Sequence, residues 1–182
     1  DAGTFVIEST GEQTIKHVEI LATELGLDFV GLRSKPSDNL SVLKLPRVGL
    51  YKSYVAFMDE GWTRWLLEDY SFDLVSLSDQ SIRSGDLSSL DAIIIPQPDG
   101  RVFFKNNVDK ILTGHPIGTM PDEYVGGLGL EGAYALQRFA QDGGTIVTFG
   151  DASDFAISQF GLPIRNIVAK ASTKDFSIPG SL

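Results

Sequence analysis

The chain has 182 residues, a formal charge of −9 and no cysteine, with 42% hydrophobic and 21% charged residues. That length allows one domain with a sizeable core, in a composition typical of soluble globular proteins. The acidic balance opposes attraction to nucleic-acid phosphates, the lack of cysteine excludes a disulfide framework, a thiolate metal site and a cysteine nucleophile, and no run approaches the ~18 apolar residues of a membrane span.

In chain order, residues 4–8 (Thr-Phe-Val-Ile-Glu) read as a short strand, followed by a turn through Gly11. Ile15, Val18, Ala22 and Leu25 then recur at three- and four-residue spacing, which predicts an amphipathic helix that Gly26 is placed to end. Residues 28–32 read as a second short strand, so this first unit is β-α-β in pattern. Residues 34–45, with Pro36 and Asn39 within and Pro46 next to them, read as a connector. The expected division is therefore an N-terminal segment at 1–45, assignable to an upstream body, and a main domain at 46–182 that is cut short at its C-terminus.

Residues 47–51 are a buried-strand candidate. After a loop, residues 59–70 read as a helix: Asp59 and Glu60 in its first turn complement the positive end of the helix dipole, and Trp62, Trp65 and Leu66 form the stripe expected to be buried. Residues 74–77 and 91–96 are further strand candidates, separated by polar turns at 78–82 and 84–86. Residues 97–100 carry turn chemistry, the apolar positions Phe103 to Leu112 suggest a short helical or irregular segment, and residues 113–129 form a long glycine-rich loop. A helix over 130–141 ends at Gly143 and Gly144, a fourth strand covers 145–149, and a turn at 150–154 leads into a helix ending near Gly161. Residues 162–168 read as a last extended segment. Strands alternating with helices in this order define an α/β domain with a parallel sheet.

In an open parallel sheet, ligands sit outside the carboxyl ends of the strands, so the loops 52–59, 96–101 and 150–154 mark the expected cleft. Its candidate ligand-binding residues are Asp59, Glu60, Arg64, Asp151 and Ser153, for a peptide or small molecule. The plainer roles are helix capping for Asp59 and Glu60, with Arg64 exposed or paired. For Ser153 the plainer role is a cap or turn, because its flanks (Asp151-Ala-Ser-Asp-Phe155) lack the small residues of a nucleophile elbow. His17 lies on the first helix and His115 in the glycine-rich loop. Neither begins an HxxE and no HExxH occurs, so no metal ligand is assigned. The glycines at 126, 127 and 129 form no GxGxxG and read as loop flexibility. A hydrolase or amidase here would use Ser153, or a bound water, with His115 and a carboxylate. An interaction module would present Tyr51, Tyr54 and Phe57.

From residue 91 to residue 162 the pattern resembles the class I glutamine amidotransferase fold: an apolar strand ending in Pro96, a glycine-rich loop, a helix, Gly143-Gly144, a strand and a sharp turn into a helix. In that family the turn carries the cysteine. The matching position here is about Gly150, and the partner histidine and acid are not seen, so the resemblance implies no amidotransferase chemistry.

Nearly the whole chain is similar to the C-terminal region of large bacterial zinc carboxypeptidases, in which an amidotransferase-like domain follows the peptidase domain. The similarity rests on Pro46-Arg-Val-Gly-Leu-Tyr-Lys52, Met58-Asp-Glu-Gly-Trp-Thr-Arg-Trp-Leu-Leu-Glu68, Gly161-Leu-Pro-Ile-Arg-Asn166 and Pro179-Gly-Ser181. It implies a three-layer, flavodoxin-like α/β fold with a central parallel sheet, preceded by the short β-α-β unit. It also implies a secreted or periplasmic parent that continues past Leu182 and an upstream peptidase domain as partner. No cofactor is expected within these residues, since the family's zinc is held by that peptidase domain. The expected role is a non-catalytic accessory domain that positions substrate or braces the peptidase.

Overall fold

The computed structural model describes residues 4–36, 40–97, 111–114, 120–171 and 174. The chain divides into two compact units, Asp1–Val42 and Leu43–Leu182.

The first unit contains helix α1, Glu12–Leu25. Gly26 ends it in the left-handed conformation at φ 63°, its N–H donating to Ala22 O, and Leu27 N–H returns to the same carbonyl at 3.1 Å. The strands expected at 4–8 and 28–32 do not form, so the β-α-β unit is corrected to a helix flanked by irregular chain. A strand persists only when a neighbour satisfies its N–H and C=O groups. Neither segment gains one, and Phe5 and Val30 stand exposed.

The second unit is α/β. Its strands β1 (Arg47–Tyr51), β2 (Asp73–Leu77), β3 (Ala92–Ile95) and β4 (Thr145–Thr148) form one parallel sheet in the order β2-β1-β3-β4. The register pairs Leu50 with both Ser76 and Ile94, and Ile94 with Val147. Because side chains alternate along a strand, Val48, Leu50, Ser76, Ile94 and Val147 share one face. Tyr51, Leu77, Ile93 and Ile95 share the other and belong to the main apolar core.

Helices lie on both faces. Helix α2 (Met58–Asp69) packs over β1 and β2 on the Leu50 face, where Arg64 reaches Ser76 Oγ at 3.0 Å. Helices α3 (Asp79–Arg83) and α4 (Gly129–Gln141) pack together and send Ile82, Leu136 and Phe139 into the core on the opposite face. Helix α5 (Ala152–Gln159) follows β4 and buries Phe155 completely in the same core. Helix α3 replaces the polar turn expected at 78–82. A capping box forms it: Ser78 Oγ accepts from Ser81 N–H, and Ser81 Oγ accepts from Ser78 N–H, each at 3.2 Å.

Two further expectations are corrected. Residues 162–168 form no strand and are exposed. The stripe Trp62, Trp65 and Leu66 faces solvent, each residue more than half exposed. Helix α2 turns Glu60, Thr63, Arg64 and Leu67 toward the sheet instead, where Arg64 is held by Ser76 and by the Glu60 carboxylate. Of the loop at 113–129, residues 115–119 lie outside the described residues. The described part includes a single 3-10 turn, Asp122–Tyr124, and Leu128 N–H bonded to Ile111 O at 2.9 Å. The segment 98–110 also lies outside the described residues, while 111–113 are helical.

Candidate functional site

The chain leaves β1 toward β2 on one side and returns to β3 on the other, so strand order reverses between β1 and β3. The crevice beyond the carboxyl ends of those two strands is where an open α/β sheet takes ligands. Lys52 and Ser53 follow β1 there, Pro96 and Gln97 follow β3, and Gly150 and Asp151 follow β4 one strand further. Lys52 N–H donates to Leu77 O at 2.9 Å, and Ser53 Oγ donates forward to Val55 O at 3.1 Å. Beyond them the rings of Tyr54 and Tyr124 meet at 5.7 Å and 51°.

The five candidate residues divide into two groups. Asp59, Glu60 and Arg64 lie on α2. Arg64 Nε and Nη2 both donate to Glu60 Oε1, at 2.8 and 2.6 Å, Nη1 lies 3.6 Å from Glu68, and Nη2 also reaches Ser76 of β2. Asp151 and Ser153 lie at the start of α5. Ser153 Oγ sits 3.2 Å from Thr148 Oγ1 and 3.4 Å from Thr148 O, beside β4. The anchoring strands of Arg64 and Ser153, β2 and β4, are three inter-strand steps apart, roughly 14 Å. Arg64 and Ser153 are therefore held by different strands, and the arginine is engaged by neighbours of its own helix and sheet. His17 is exposed on α1, and His115 lies outside the described residues.

The turn between β4 and α5 has the strand–turn–helix form of a nucleophile elbow. Its turning residue, Gly150, has φ 53°, a conformation L side chains rarely adopt. The Gln97 side chain closes over it: a β-carbon at 150 would collide with Gln97 Oε1. No side chain projects from that position, and an amide occupies its space.

Behind the crevice lies a polar pair that the sequence reading did not single out. Tyr51 Oη donates to Asp79 Oδ1 at 2.6 Å, with both residues buried. Burial, then the Asp79 charge and hydrogen bond, push the Tyr51 hydroxyl well above the ordinary tyrosine value. Burial also raises the Asp79 carboxyl, against the opposing effects of the Tyr51 bond and the Arg83 guanidinium. Arg83, whose charge acts on Asp79, donates Nη1 to Gly127 O. The only sequence signal for the pair was a tyrosine closing β1 and an aspartate directly after the Ser78 cap. The expectation that Tyr51 is an exposed recognition aromatic is thus corrected: it stands at the end of β1, and its alternation directs it into the core.

Among the described residues no group of three or more His, Cys, Asp or Glu side chains is placed to hold a metal ion, and no helix is long and apolar enough to cross a membrane. No protein-family model matches the chain, and neither does any curated protein or solved structure.

Proposed function

We propose that residues 46–182 form a three-layer, flavodoxin-like domain of the amidotransferase-like type. In this reading it serves as a non-catalytic accessory domain of an exported zinc carboxypeptidase-like protein, positioning substrate for the peptidase domain or bracing it. The observation that carries the reading is the elbow at Gly150. The turn that would present a nucleophile has a glycine there, and Gln97 covers it. Retaining the elbow geometry without a reactive side chain is what a domain kept for its shape would do. The hydroxyl nearest the elbow, Ser153, is directed at Thr148, which disfavours an independent serine hydrolase. The zinc of this reading belongs to the upstream peptidase domain and takes no ligand from the described residues.

The test compares this chain with the longer protein that the reading requires, on one panel of peptide and amide substrates. The chain alone should turn over nothing. The longer protein should release C-terminal residues and lose that activity to a metal chelator. Turnover by the chain alone, insensitive to chelator, would overturn the reading and return attention to Ser153. An interaction module is the second reading, and the outward apolar face of α2 favours it.

A further inference from the structure

Helix α2 is mounted inside out. A helix lying on a sheet ordinarily turns its apolar stripe inward and its polar residues to water. Here Glu60, Thr63, Arg64 and Leu67 face inward, while Met58, Trp62, Trp65 and Leu66 are each more than half exposed. The outward residues recur at spacings of four, three and one, which is one continuous helical stripe. The Trp62 and Trp65 rings meet edge to face at 5.8 Å, leaving indole surface open to solvent. The two half-exposed indoles alone leave on the order of 250 Å² uncovered, and the flanking Met58 and Leu66 extend the patch to a size that marks interaction surfaces.

The charges around the stripe state what fits it. Along α2 itself there are four acids, Asp59, Glu60, Glu68 and Asp69, against the single Arg64, while Asp73 beyond it lies 3.5 Å from Arg47. Arg64 is already bonded to Glu60 and lies close to Glu68, so the local surplus is negative. The last turn of α2 holds acids and no base, which adds to the negative end of its dipole. A second copy of the same patch would bring like charge against like charge, and an anionic membrane surface would be repelled for the same reason. Exposed indole faces attract arginine and lysine side chains.

We infer that the outward stripe of α2 is a docking surface for another polypeptide: an amphipathic segment whose apolar ridge covers Met58, Trp62, Trp65 and Leu66 and whose lysines or arginines meet Glu68 and Asp69. The mode is groove-free helix recognition through anchors at helical spacing, with charge setting partner choice. The inference rests on α2 alone and not on the carboxypeptidase reading, so either can fail without the other.

Trp62 and Trp65 are the chain's two tryptophans, so intrinsic fluorescence reports directly on the stripe. The probes are a 20-residue amphipathic helical peptide of leucine and lysine and its counterpart with glutamate for lysine. The full chain should show a blue-shifted emission with the lysine peptide and none with the glutamate peptide. By anisotropy of the labelled lysine peptide, Leu66→Lys should weaken binding about tenfold or more, as expected for a central anchor. The double variant Glu68→Lys/Asp69→Lys should weaken it similarly and flatten its salt dependence. Glu131→Lys/Asp142→Lys, an equal charge change on and beside α4, should leave the affinity within about twofold. Circular dichroism of each variant confirms that it folds. Equal binding of both peptides, or equal losses in the two double variants, would overturn the inference. So would a blue shift on concentrating the chain alone, which indicates a second copy, or one on adding phosphatidylserine vesicles, which indicates a membrane.

Discussion

Tyr51 closes β1 with its hydroxyl 2.6 Å from Asp79 Oδ1, tying the carboxyl end of that strand to the first residue of α3 beneath the core. Among the described residues Asp79 is the one charged side chain that is buried. Removing the donor leaves a carboxylate without one of its hydrogen bonds in a low-dielectric setting, and such losses cost more than the bond itself contributes. Tyr51→Phe should therefore destabilise the second unit by about 1–3 kcal/mol. Chemical denaturation at neutral pH measures this directly. A variant as stable as the parent would mean that Arg83 alone suffices to hold Asp79.

The same pair makes stability depend on pH in two windows. Burial raises the Asp79 carboxyl above its ordinary value of 3.8, so the folded state holds that proton more tightly than the unfolded chain. The stabilisation is complete below 3.8 and is lost as pH rises through the folded value. Across that interval the parent should lose stability relative to Asp79→Asn, and the difference should level off above it. For Tyr51, burial and the adjacent Asp79 charge raise the hydroxyl well above 10.0, so stability is lost as pH rises beyond 10.0 toward the folded value. Tyr51→Phe should remove that alkaline loss. Melting temperatures of the three proteins from acid to alkali give the answer, and curves that stay parallel throughout would rule out both windows.

The sheet was legible in the sequence because its strands are short apolar runs between turn residues, as with residues 91–96 around the Ala92–Ile95 strand. The helix over 58–69 was legible too, but its orientation was not. Periodicity locates an apolar stripe and says nothing of which side meets the sheet. Here Ser76 and the Glu60 carboxylate hold Arg64 inward, and Trp62 and Trp65 turn out. The candidate site was half legible for a related reason. Loops that follow parallel strands share one end of the sheet, yet the strand order, which sets β2 and β4 at opposite edges, is a long-range property. The runs at 4–8 and 28–32 have the composition of strands and lack a partner edge, which no local pattern reveals.

Arg64 also has a structural part. Its guanidinium makes two short bonds to a Glu60 carboxylate that is mostly buried and a third to Ser76. Arg64→Ala leaves that carboxylate without its partner and should cost about 1–2 kcal/mol, more than an exposed i,i+4 pair contributes. Arg64→Lys, which supplies a point charge without the fork, should recover only part of it. Urea titrations of the two variants check this. An alanine variant within a few tenths of a kcal/mol of the parent would show that the pair behaves as an exposed one.

A smaller effect is expected at the end of α2. Ser71 has φ 58°, the left-handed conformation that a glycine adopts without steric cost, and it sits where Ser71 and Phe72 N–H groups return to Glu68 and Leu67 carbonyls. Ser71→Gly relieves that strain and adds back some unfolded-state entropy, so a net gain of about 0.5–1 kcal/mol is expected. Thermal melting resolves it, and a loss of stability would show that the serine side chain contributes more than the strain costs.

The elbow offers a cycle that separates two causes. At Gly150 any β-carbon meets both an unfavourable φ and the Gln97 amide. Gly150→Ala should cost about 1–2 kcal/mol from the backbone conformation and a further amount for displacing Gln97. In a Gln97→Ala background the obstruction is gone, so the same substitution should cost only the backbone part. Denaturation of the four proteins gives the coupling between the two positions. A cost that is equal in both backgrounds would mean that Gln97 moves aside freely. The space above the elbow would then be open to a ligand, where the proposed function has an amide closing it.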